Sequence, residues 1–157
     1  MVKKGYYEYD PVIYPRKLWV MPQATEAEIR MCFTEHDGEE IEWDDKECYA
    51  TTFPEVCAKA DGKYGVLVVF KGKASMTMGN ICHEASHVLD DFMDVLPLAR
   101  EPRGHNEHLS YLSQWIGDCI NRARLGKGEF VEIKIEKDKA DEPNKPSKPD
   151  MTNTQRR

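Results

Sequence analysis

The longest unbroken run of aliphatic or aromatic residues in this chain is short: Val66–Phe70. It lies within Tyr64–Lys71 (YGVLVVFK), between Gly62 and Gly72. A continuous, β-branched run bounded by glycines predicts a buried strand. It is far below the roughly 20 apolar residues of a membrane span, so no membrane partner is expected. The start, MVKKGYYEYD, has two lysines but no apolar stretch behind them, so no signal peptide is expected. A length of 157 residues suits one domain. Such a domain buries roughly 70% of the surface of its unfolded chain, enough for a core without disulfides.

The segments downstream of this strand set the fold class. Ile81, Ala85, Val88, Leu89 and Phe92 recur at helical spacing. This helix begins between Ser75 and Asn80 and ends by Val95, because Pro97 pushes Leu96 out of the α region. A second helix is predicted over 106–125, with Leu109, Leu112, Ile116, Ile120 and Ala123 on one side and Gly126 and Gly128 ending it. Upstream, 16–21 (RKLWVM) reads as a strand stopped by Pro22. Thr25 caps a short helix reaching Thr34, with Ala27, Met31 and Phe33 inward. Tyr6–Tyr14, broken by Pro11 and Pro15, reads as an extended aromatic arm. Residues 39–47 form an acidic loop or edge hairpin, 47–53 a strand ending before Pro54, and 130–135 a last strand. The class is α+β: a small mixed sheet and two adjacent antiparallel helices.

Charge narrows the partners. The net charge is −6. Residues 137–157 carry six Lys/Arg, four Asp/Glu and three prolines, with no Val, Ile, Leu or aromatic residue. They are expected to form a disordered tail after a domain of residues 1–136. That domain is acidic, so no nucleic-acid partner is expected. Cysteines 32, 48, 57, 82 and 119 are odd in number and contain no CxxC pair. Free thiols in a cytoplasmic setting are expected. Cys82 and Cys119 read as core, and Asp90, Asp91 and Asp94 as a solvated face.

Residues 83–87 read His-Glu-Ala-Ser-His. Positions i and i+4 share one helix face, so His83 and His87 can reach a single zinc ion. Glu84 points about 100° away and can hold a water from the side, which is the physical content of the HExxH motif. Twenty residues after His87 comes Glu107, preceded by Asn106. A short loop between antiparallel helices can return Glu107 over the HExxH turn as a third ligand. On a helical wheel, however, His108 lies nearer the apolar side than Glu107, and His105 is a further rival.

On His83, Glu84, His87, Asn106 and Glu107 the chain resembles the gluzincin group of zinc metallopeptidases, and more narrowly small zincin-like proteins encoded by phages and prophages. The likeness covers roughly residues 64–125. It implies a minimal zincin-like domain in which Zn²⁺ is held by His83, His87 and Glu107, and Glu84 acts as general base in peptide hydrolysis. It also implies a peptide or protein substrate, held along the sheet edge near Val66–Phe70 by strand addition. Two departures stand out. The Asp that steadies a ligand histidine in this group is replaced by Tyr111, leaving Asp90, Asp91 or a carbonyl for that task. No second domain is expected to supply an oxyanion donor, for which His105, His108 and Tyr111 are candidates. The rival reading is a non-catalytic, zinc-stabilised interaction or assembly protein on the same fold. The oligomeric state stays open.

Overall fold

The computed structural model describes residues 3–44, 46–102 and 104–134. The expected tail, 137–157, lies outside the described residues. The fold is α+β. Six strands, β1 (Gly5–Tyr9), β2 (Lys17–Met21), β3 (Phe33–Thr34), β4 (Ala50–Ala58), β5 (Tyr64–Phe70) and β6 (Glu129–Glu132), form one sheet in the order β3-β4-β5-β2-β1-β6. Only the β2–β5 pair is parallel. Three α-helices complete it: α1 (Glu26–Cys32), α2 (Met78–Val95) and α3 (Glu107–Arg124). Among the described residues no helix is long and apolar enough to cross a membrane.

The two central strands explain their own sequences. Leu18, Val20, Val66, Val68 and Phe70 face one core, beneath α2 and α3. Trp19, Met21, Leu67 and Val69 face the other, with Ile29 and Phe33 of the α1–β3 segment and Ile41 and Trp43 of the following loop. A strand covered on both faces must be apolar throughout, which is why β5 reads as an unbroken run rather than an alternation. Gly65 allows this close packing, since a Cβ there would collide with the Lys17 carbonyl.

This placement overturns one expectation. β5 lies between β4 and β2, so Val66–Phe70 has no free edge to offer a peptide. Beside β5, an open edge lies on β4, and β6 ends the sheet at its far side. The two-residue β3 pairs only with Ala58 and Cys57. The stretch 50–53 has β5 on one side and no strand on the other.

Three other elements differ from expectation. The aromatic arm is a strand, because Pro11 and Pro15 fall beyond its end. β1 pairs with both β2 and β6, buries Tyr6 and Tyr9, and gives Tyr6 an edge contact with Phe33 at 5.0 Å. β4 runs through Pro54 by means of a register shift between Phe53 and Val56, an irregularity that accommodates a residue lacking an N–H. Helix α1 stops at Cys32, so Phe33 still faces inward but from β3, while Ala27 and Met31 are exposed.

Helix ends follow their sequence signals. Thr25 and Glu28 form a capping box, Thr25 Oγ1 accepting from Glu28 N–H and Glu28 Oε2 from Thr25 N–H. α3 ends in a Schellman motif: Lys127 N–H donates to the Arg122 carbonyl at 2.8 Å and Gly126 N–H to the Ala123 carbonyl at 3.0 Å. Gly126 sits at φ +73, in the left-handed region that this motif demands.

Candidate metal centre and cleft

Helix α2 is fixed at its start by side chains. Thr77 Oγ1 accepts from Asn80 N–H, and the Asn80 amide donates to the Ser75 carbonyl. From there Ile81, Val88 and Phe92 go into the core. The same rotation turns His83 and His87 out over β4 and leaves Glu84 at the boundary, buried to 5% exposure.

The two imidazoles converge. His83 Nε2 and His87 Nε2 stand 3.2 Å apart. Two nitrogens each about 2.0–2.1 Å from one tetrahedral ion lie about 3.3 Å apart. The separation is that of a hydrogen bond between the two rings and also matches the bite of a zinc pair, and both nitrogens belong to exposed rings in an open cleft of about 470 Å³. One wall of this cleft is α2, through His83, Glu84, His87, Asp91 and Asp94; the other is β4 around Thr52.

Across the cleft, Thr52 Oγ1 donates to Glu84 Oε2 at 2.7 Å and lies 3.4 Å from the Glu84 carbonyl oxygen. Burying a carboxylate is costly unless it is hydrogen-bonded, and this bond anchors it. No local sequence pattern marks Thr52. Only the pairing of β4 with β5 places it over α2.

Asp91 corrects the expected solvated face. Its side chain is 6% exposed and forms an ion pair with Arg16, itself 7% exposed, at 2.7 Å. Burial pushes the Asp91 pKa up and the Arg16 guanidinium pulls it back, with Glu55 and Asp94 adding repulsion. The pair engages Asp91 Oδ2, and among the described residues no hydrogen bond joins Asp91 to either histidine. Asp90 and Asp94 are exposed, as expected of a solvated face.

Glu107 opens α3 with its side chain exposed, and it does not line the cleft. His105 and His108 are exposed and also lie outside it. Among the described residues no group of three His, Cys, Asp or Glu side chains is gathered to hold a metal. The structure brings together His83, Glu84 and His87, and not Glu107.

Cys82 is exposed rather than core. It borders a groove between α2 and α3 that Ser113 and Gly117 also line. Cys119 is buried, and burial raises its thiol pKa to about 12.

Compared with known families, characterised proteins and solved structures, the chain matches none.

Proposed function

We propose that this chain is a zinc-dependent hydrolase of the gluzincin type, a minimal zincin-like domain acting on peptides. One observation carries the proposal: two Nε2 atoms 3.2 Å apart, beside a buried carboxylate held from across the same cleft. The donor chemistry fits zinc, since neutral imidazole is one of its preferred ligands. His83 and His87 would hold the ion. Glu107 is the third ligand that its spacing from the HExxH motif proposes, and to serve it would have to come over the cleft from its exposed place at the start of α3.

Bound there, zinc would supply Lewis acidity and bring the pKa of a water down toward about 7. The chain's own groups do the rest. Glu84 takes a proton from the attacking water and passes it to the leaving amine, a service worth about 10²–10⁴-fold in rate. The open edge of β4 supplies main-chain partners for an extended peptide.

The rival reading is a zinc-stabilised interaction protein without catalysis; the missing third ligand among the described residues favours neither, since a structural zinc takes four protein ligands and a catalytic one three. Glu84→Gln separates the two. It should retain one zinc per chain and lose at least 100-fold of the activity on an internally quenched peptide mixture. Unchanged hydrolysis would sink the catalytic reading. Zinc per chain in Glu107→Ala and His108→Ala, measured in parallel, tests the ligand set. Loss in the His108 variant alone would overturn Glu107.

A further inference from the structure

Thr52 has two faces, and both bear on the cleft. Lys71 N–H donates to the Tyr49 carbonyl at 3.0 Å. In the register that pairs Ala50 with Phe70 and Thr52 with Val68, hydrogen-bonded and non-hydrogen-bonded pairs alternate. Residues 49, 51 and 53 therefore turn their main chain toward β5. Residues 50 and 52 turn theirs to the open edge. The Ala50 carbonyl already accepts from Thr51 Oγ1 at 2.8 Å. Thr52 is thus left with both its N–H and its C=O directed outward. Its side chain meanwhile points to the α2 side of the sheet, onto Glu84.

We propose that Thr52 is the positioning residue of this site. Its main chain sets the register of an extended peptide on β4. Its hydroxyl fixes the carboxylate that must meet that peptide's scissile bond. The inference rests on the hydrolase reading above and adds a residue to it. One residue thus ties substrate and base to a single point on a rigid strand. A base held within hydrogen-bond reach of its proton retains its catalytic value, and one free to swing loses part of it. Holding the carboxylate by one oxygen leaves the other to receive the proton. Among the described residues, Oε1 of Glu84 is neither hydrogen-bonded nor enclosed without a partner.

The test uses Thr52→Val and Thr52→Ser in the full chain, with zinc alone as the metal and an internally quenched peptide mixture as substrate. Valine keeps the volume, the β-branch and the edge main chain but removes the hydroxyl. It should lower kcat about tenfold or more with KM and zinc per chain unchanged, and serine should recover most of the loss. A second readout needs no activity. The carboxyl ¹³C resonance of Glu84, assigned by its disappearance in Glu84→Gln, should move in the valine variant of the zinc-free protein and return in the serine variant. A valine variant with wild-type kcat, or a Glu84 resonance that does not move, would overturn the proposal. If the wild type hydrolyses nothing, the hydrolase reading fails and this assignment fails with it. If Glu84→Gln is dead while Thr52→Val is fully active, only this assignment fails.

Discussion

At the residue scale, the Arg16–Asp91 pair offers the sharpest consequence. Both side chains are buried, and truncating one partner strands the other. Arg16→Met should cost about 3–5 kcal/mol near pH 7. The pH dependence has a definite sign. Burial raises the folded Asp91 pKa above its unfolded value, first by desolvation. A carboxyl shifted this way contributes its stability below the unfolded pKa, about 3.9, and loses it as pH rises through the folded pKa. Removing Arg16 raises the folded value further. The deficit of the variant relative to wild type should therefore be small near pH 4 and grow toward pH 7, read as paired urea midpoints. An equal deficit at both pH values would show that Asp91 is not the group responsible. Sequence made little of this pair legible. Arg16 reads as the charged start of a strand and Asp91 as one of three acids on a helix. Their meeting depends on a separation of 75 residues that no local pattern encodes. Thr25, by contrast, is legible, because a cap acts within one turn.

At the scale of elements, legibility tracks how local the cause is. α2, α3 and β5 follow from period and run length, and their ends from Pro97, Gly126 and the flanking glycines. β1 and β4 do not, since each contradicts a local rule and is restored by a neighbour. Pairing on both sides carries β1, and a bulge carries Pro54 through β4. The place of Glu107 outside the cleft has a related reason. Spacing along the chain fixes how far a loop can reach but not the rotation of the helix it leads into. α1 makes a clean test of independence between the layers. It lies across the sheet from the cleft and is held by its capping box. Thr25→Ala should cost about 1 kcal/mol of stability and leave zinc per chain untouched. A fall in zinc content in that variant would mean that the two faces of the sheet are coupled.

For the whole molecule, a ligand that binds only the folded form raises its stability by mass action. Zinc at about 100 times its dissociation constant should add about 2.7 kcal/mol, seen as a rise in Tm of several degrees. His83→Ala/His87→Ala should show no such rise. An equal rise in that double variant would place the metal elsewhere.

One feature of the cleft separates two properties that are easily taken as one. The converging imidazoles belong to a single helix and are four residues apart, whereas the carboxylate between them is steadied by a hydroxyl 32 residues away on the sheet. On the proposed reading the two imidazoles need only a few turns of α2 to meet, and a third ligand from α3 needs those two helices docked. Correct aim of Glu84 needs strand, sheet and helix docked together. Metal content would therefore report on the helix pair alone. The orientation of Glu84 reports whether the tertiary structure has closed. If the hydrolase reading holds, a sheet not yet docked on the helices would give full zinc and no turnover, even from an unaltered sequence.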